Sequence, residues 1–230
     1  MQGERTIRPI AHIENDFDEK FGIPRQSGLV PQLQARILFE PEFAQPQAVK
    51  GLEEFSHIWL IWEFSRAVRE SWSAMVRPPK LGGNTYMGVF ATRSPFRPNS
   101  IGLSCVKLEK IEIGDKETGP VLYVSGADLL NGTPIYDIKP YLPYVDSHPE
   151  AAGGFTDRVN QDLLKVDFPS QLMALIPAEK REALTGILAQ DPRPSYQNDP
   201  ERIYGLTFAG KNVKFRIAGE TVQVFEVEDM

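Results

Sequence analysis

Two arginines stand four residues apart in the stretch Ala91-Thr-Arg-Ser-Pro-Phe-Arg-Pro-Asn-Ser-Ile-Gly-Leu-Ser104. Each offers a planar guanidinium whose paired N–H donors match a carboxylate or a phosphate. The prolines fix their own φ and bias the residue before each toward extended backbone, so Arg97 is held open rather than coiled into a helix. A stiff loop carrying two cations suits an anionic ligand; it equally suits a rigid crossover whose arginines pair with surface carboxylates. A second stretch, Asp128-Leu-Leu-Asn-Gly-Thr-Pro134, brings backbone amides, carbonyls and the Thr133 hydroxyl to the surface, because Asn131-Gly132 favours left-handed conformations. Such a turn can read the edge of an adenine, and it is also a common hairpin signal. Asp137 and Lys139 lie two residues apart on one strand and share a face, as a chemical pair or a surface ion pair.

Other chemistries lack their residues. The chain has no G-x-G-x-x-G after a strand and no G-x-x-x-x-G-K-[ST], so nothing points to a Rossmann or P-loop nucleotide site. His12, His57 and His148 are far apart and Cys105 is the only cysteine, so no metal site is expected. His57, within an apolar strand, reads as a hydrogen-bonded core histidine. A Ser104/His57/Asp137 triad has no nucleophile-elbow sequence behind it.

These residues need a scaffold of strands. Thr6–Ile13 reads as an edge strand broken by Pro9, Ala35–Phe39 as a second, and the apolar run Phe55–Phe64 as a central strand buried on both faces. Strands at Tyr86–Phe90 and Ile101–Ile113 flank the arginine loop, and Val121–Gly126 and Ile135–Tyr141 complete the set. Many short strands and little helical period before residue 150 predict a mainly β fold: a closed or nearly closed β-barrel over residues 1–150. Ser147–Phe155 is a flexible boundary. Beyond it, a helix over Pro177–Gln190 and strands at Tyr204–Phe208, Val213–Ile217 and Thr221–Val227 predict a small α+β domain over 155–230.

With 230 residues, 41% hydrophobic and 24% charged, the chain has the composition of a soluble globular protein. No apolar run approaches bilayer-crossing length and no secretory signal opens the chain. A lone cysteine suits a reducing cytoplasm. The net charge of −6 argues against nucleic acid for the chain as a whole, but two regions run the other way. Arg66, Arg69, Arg77 and Lys80 face Glu70 alone, a balance of +3; Arg193, Arg202, Lys211, Lys214 and Arg216 face Asp199 and Glu201, again +3. Such clusters bind phosphates or are merely solvated surface.

Five motifs, in order, together resemble the TrmO family (YaeB- or TsaA-like proteins): Phe21-Gly-Ile-Pro-Arg-Gln, Gly51-Leu-Glu-Glu-Phe-Ser-His-Ile-Trp, the arginine loop, Asn131-Gly-Thr-Pro-Ile-Tyr-Asp-Ile-Lys-Pro-Tyr and Gln190-Asp-Pro-Arg-Pro-Ser-Tyr196. The resemblance implies a homodimeric, cytoplasmic β-barrel methyltransferase. It would use S-adenosylmethionine to methylate N6 of threonylcarbamoyladenosine beside the tRNA anticodon. Carried over by position, the cofactor contacts are Gln26, Ser27, Ser65, Arg66, Arg93, Leu103, Leu130, Asn131, Gly132 and Thr133. Asn131 stands where the family commonly has Asp, Ser100 where it often has Pro, and Ser65 where some relatives have His. Asn for Asp removes a charge and keeps an acceptor oxygen.

Methyl transfer from a sulfonium is an in-line displacement in which the protein chiefly aligns the partners. A cationic sulfonium prefers carbonyl oxygens and aromatic faces, so Arg93 is expected to orient the cofactor carboxylate or a tRNA phosphate. The carbamoyl group acidifies the N6 proton, so a strong base is dispensable; Asp137 is the candidate if one acts. RNA contacts are expected from Arg193, Arg202, Lys211, Lys214 and Arg216, with stacking on Tyr196. The alternative is a non-catalytic barrel that binds S-adenosylmethionine or RNA and regulates another process.

Overall fold

Strands with one apolar face close on themselves when that face has nowhere else to go, and six do so here. The computed structural model describes residues 6–68, 71–81, 84–115, 118–159, 161–193, 197 and 199–230. In chain order the strands are β1 (Ala11–Glu14), β2 (Gln34–Phe39), β3 (His57–Glu63), a short ribbon of β4 (Met75–Val76) and β5 (Met87–Gly88), then β6 (Ile101–Ile113), β7 (Pro120–Ser125) and β8 (Pro134–Pro140). The barrel runs β1-β2-β7-β6-β3-β8, with β8 pairing back onto β1 and every neighbour antiparallel. Ile13, Ile37, Ile58, Leu60, Leu122 and Ile135 fill its interior, each fully buried.

Antiparallel alternation fixes which connections share a mouth. Residues 15–33, 64–100 and 126–133 emerge at one end; 40–56, 114–119 and the chain after β8 emerge at the other. Since β7 and β8 lie opposite each other in the ring, the 126–133 connection must cross its mouth, and it plugs the barrel with Ala127 and Leu129. The 40–56 connection crosses the far mouth and contributes Val49 to the same core.

After α1 (Pro143–Asp146), β9 (Lys165–Asp167), α2 (Ser170–Met173) and α3 (Arg181–Ala189) precede β10 (Tyr204–Phe208), β11 (Lys211–Ala218) and β12 (Thr221–Asp229). Leu184, Ile187 and Leu188 of α3 pack on Leu206, Phe208 and Phe215 of this second sheet. Phe17, Val30 and Leu33, all from the 15–33 connection, belong to that same second core. The connection is therefore clamped between barrel and C-terminal sheet.

Several expectations need correction. β3 alternates: Ile58, Leu60 and Trp62 point inward while Trp59 and Ile61 face outward, and Asp146 of α1 accepts the Trp59 indole N–H at 3.0 Å. One sequence run hid a two-sided strand because its outer face is apolar too. The Tyr86–Phe90 segment is not a barrel strand; only Met87–Gly88 pairs, with β4. The first strand begins at Ala11, beyond Pro9, and the C-terminal meander gains a fourth strand, β9, parallel to β12. Residues 178–180 form a tight 3-10 turn ahead of α3.

Candidate active site

The mouth formed by the 15–33, 64–100 and 126–133 connections gathers the residues singled out from sequence. Gln26 and Ser27 come from the first, Ser65, Arg66 and Arg93 from the second, and Leu130 to Thr133 from the third. Leu103 sits on the outer face near the start of β6, 54% exposed. Arg93 donates from Nη1 to the Gln26 side-chain oxygen, tying the second connection to the first. Lys20 Nζ donates to the Arg66 carbonyl at 2.7 Å, and Arg66 Nη1 donates to the Asp18 carbonyl at 3.3 Å. Thr133 is buried, and its carbonyl accepts the Ile13 amide at 3.1 Å.

At the centre lies a residue that the motif reading passed over. Trp62 Nε1 donates to Ser104 Oγ at 2.9 Å, and Ser104 Oγ donates to Asp128 Oδ1 at 2.6 Å. Burial pushes the Asp128 carboxyl above the usual carboxylate range; the Ser104 hydroxyl, the Asp128 and Ser27 backbone amides and the charge of Arg93 pull partly the other way. The first and third mouth connections thus meet at this carboxylate, and the second acts on it through the charge of Arg93. The sequence signal was present: Asp128 is a lone acid between the apolar plug residues Ala127 and Leu129. The Ser104/His57/Asp137 triad does not assemble, since Ser104 is committed to Asp128 and His57 Nδ1 contacts Ser56 Oγ at 2.9 Å.

Asn131, which the resemblance marks as a departure, has local partners. Its Oδ1 accepts the Asn15 amide at 3.2 Å and its Nδ2 donates to Asp18 Oδ1 at 3.0 Å. An Asp there would set two carboxylates against each other; Asn supplies the donor that Asp18 requires. The Asn131 side chain therefore braces the mouth from within. Arg97 is also internal in its work, donating from Nη1 to the Thr92 and Val89 carbonyls at 2.7 and 3.2 Å. Of the two loop arginines, Arg93 is the exposed one.

Asp137 is placed elsewhere. A bulge where β8 passes Ile61 and Trp62 shifts the strand's parity, so Ile135 faces the core while Asp137 pairs opposite outward-facing Ile61. Its carboxylate forms an ion pair with Lys139 at 2.9 Å on the outer wall. The C-terminal cations are mostly engaged. Lys211 pairs with Asp229, Lys214 with Glu226 and Glu228, and Arg193 with Asp191, while Arg216 Nε bonds the neutral Gln223 side chain and Arg202 lies over the Tyr204 ring. The +3 counted along Arg193–Arg216 is thus offset by acids of β12 that lie outside that window. Tyr196 lies outside the described residues.

Charge is divided between the barrel's ends. By sequence, the 64–100 connection carries Arg66, Arg69, Arg77, Lys80, Arg93 and Arg97 against Glu70 alone, a balance of +5, and the 15–33 and 126–133 connections, at −1 each, leave the first mouth at +3. At the opposite mouth, residues 40–56 hold Glu40, Glu42, Glu53 and Glu54 against Lys50, a balance of −3. A polyanion is steered toward the first mouth and away from the second.

Fold and site define a closed antiparallel barrel with a polar, arginine-bearing ligand mouth, and not a doubly wound nucleotide-binding sheet. Family models for the tRNA-methyltransferase O N-terminal domain and the TrmO C-terminal domain match residues 12–147 and 161–230, and the chain belongs to the TrmO family. It is 38% identical over 227 residues to the tRNA (adenine(37)-N6)-methyltransferase of Escherichia coli, covering 95% of this chain and 96% of that protein. It is 49% identical over 164 residues to the protein of the same name from Eikenella corrodens, covering 71% and 91%. A crystal structure of TrmO from Pseudomonas aeruginosa, 33% identical, superposes with a TM-score of 0.79 over 99% of this chain and all of that one.

Proposed function

We propose that this protein is an S-adenosylmethionine-dependent tRNA methyltransferase that methylates N6 of adenosine 37, in its threonylcarbamoyl-modified form. The observation that carries the reading is the convergence of the first and third mouth connections on Asp128, with Arg93 of the second exposed beside them. The mouth's groups fit the methyl donor. Arg93 bonds only a neutral amide among the described residues, so its remaining N–H groups are free for the donor's carboxylate. Asp128 suits the donor's hydroxyl or ammonium groups, and the exposed Leu103 offers an apolar wall. When bound, S-adenosylmethionine supplies a methyl group already activated on a sulfonium. The residues of the chain then orient, exclude water and align the substrate nitrogen. No side-chain base is assigned: the carbamoyl group acidifies the N6 proton, and the Asp137 carboxylate is engaged with Lys139.

Phosphate contacts are assigned first to the cations of the mouth, with Arg202 and Arg216 as outlying contacts because their partners are neutral. The barrel (1–150) is read as the catalytic unit and 155–230 as the unit that holds the 15–33 connection and extends the RNA surface. A second copy is proposed to cover Val68, Trp72 and Phe90, which are 61%, 52% and 72% exposed and too apolar to face water. A tRNA substrate supports a cytoplasmic location. The test is transfer of labelled methyl from S-adenosylmethionine to tRNA lacking only the N6 methyl. Wild type should label it, and Arg93→Ala should lose at least tenfold in kcat/KM, mainly through KM for the donor. Cofactor binding without any methyl transfer would favour the non-catalytic reading instead.

A further inference from the structure

A cavity of about 300 Å³ lies at the seam between the 15–33 connection and the C-terminal end of α3. Phe21, Ile187 and Pro192 give it apolar walls; Lys20, Arg25, Gln190 and Asp191 give it polar edges, the Asp191 carboxylate being neutralised by Arg193. Its size falls at the bottom of the ~300–1,000 Å³ range that holds small ligands, right for a group of amino-acid size. The Arg25 guanidinium is under-used. Among the described residues only Nη2 has hydrogen-bond partners, the Asp191 and Arg193 carbonyls at 3.4 and 3.3 Å, at the long limit of hydrogen bonding. The nearest carboxylate, Asp191, is already taken by Arg193 Nε at 3.0 and 3.1 Å. Partial burial lowers the Arg25 pKa while Asp191 opposes the shift, and the side chain keeps an exposed edge that a further anion can reach. Asp191 holds a left-handed φ of 53°, which an Asp tolerates, and this turn carries its carbonyl to Arg25. The cavity also adjoins the mouth: Gln26, which holds Arg93, follows Arg25 directly, and Lys20 bonds the Arg66 carbonyl.

We propose that this cavity receives the amino-acid substituent on N6 of the substrate adenosine, and that Arg25 pairs with its carboxylate. The assignment rests on the reading of the substrate given above. Arg25 then selects modified adenosine over unmodified. The competing source of an anion is an RNA phosphate, which would draw on Arg25 whatever the base carries.

The test is fluorescence anisotropy without methyl donor, using anticodon stem-loop RNAs that carry adenosine, threonylcarbamoyladenosine, or the same group with its carboxylate converted to an amide. Wild type should bind the carboxylate form at least tenfold more tightly than the other two. Arg25→Gln should abolish that preference while leaving binding of the unmodified RNA unchanged, and Arg25→Lys should restore part of it. Equal weakening of all three RNAs by Arg25→Gln would mean a phosphate contact and overturn the proposal. So would equal binding of acid and amide by wild type, a comparison that does not depend on any variant folding. A wild type that methylates tRNA yet ignores the carboxylate sinks only this inference; one that transfers no methyl sinks the functional reading itself.

Discussion

Asp128 is the residue on which the mouth turns, and its ionisation gives it a measurable signature. Its carboxyl is raised by burial, so the folded state favours the neutral form. The stability associated with that proton is complete below the unfolded carboxyl pKa of ~4 and is lost as pH rises through the raised folded value. At neutral pH the ionised group therefore costs stability. Asp128→Asn should melt no lower than wild type at pH 7, with its advantage shrinking as pH falls through the raised folded value toward about 4 and level below that, while S-adenosylmethionine binding weakens. Melting curves across pH and calorimetry with the donor check both halves. A variant that is much less stable at pH 7 yet binds normally would make Asp128 a purely structural brace. Sequence alone named Arg93 and Gln26, which do meet. It passed over Asp128 because a single carboxylate in an apolar run has no motif, and its partners Ser27, Ser104 and Arg93 are distant in the chain.

Among the elements, β3 and β6 carry the site's support, and a glycine decides how closely they approach. Gly102 sits opposite Trp62; a Cβ there would lie 2.4–2.7 Å from the indole ring. The ring fills that space and reaches Ser104. Gly102→Ala should cost about 1–3 kcal/mol through overpacking and loosen the Ser104–Asp128 bond, visible as a lower denaturant midpoint and reduced donor affinity together. An alanine variant of wild-type stability would show that the ring moves freely. Alternating patterns made β2, β6 and β7 legible, because half-buried strands write their two faces into the sequence. The β8 bulge was not legible: one extra residue turned Asp137 outward, and nothing in the local sequence marks it. β9 escaped for a related reason, being three residues long and parallel to a distant partner.

The whole molecule is less divisible than its sequence suggests. Phe17, Val30 and Leu33 leave the barrel to join the C-terminal core, so removing 155–230 would strip the support from the Gln26 loop and not merely an RNA surface. The exposed belt of Trp72 and Phe90, stacked with ring centroids 6.2 Å apart, belongs at this scale too. If a second copy covers it, Phe90→Glu should sediment as a monomer where wild type sediments as a dimer. Identical sedimentation of both proteins would remove the belt as the interface. Closure of the barrel was foreseeable from many short strands needing protected edges. The placement of charge was not, because only the ring order tells which connections share an end.

Hydrogen–deuterium exchange with and without S-adenosylmethionine reports most directly on where the donor sits. Protection should rise in the backbone amides of 25–33, 89–100 and 126–133, which share one mouth, and stay unchanged in 40–56 and 114–119 at the other. Protection concentrated at that opposite, acidic mouth, or confined to the C-terminal sheet, would contradict the account.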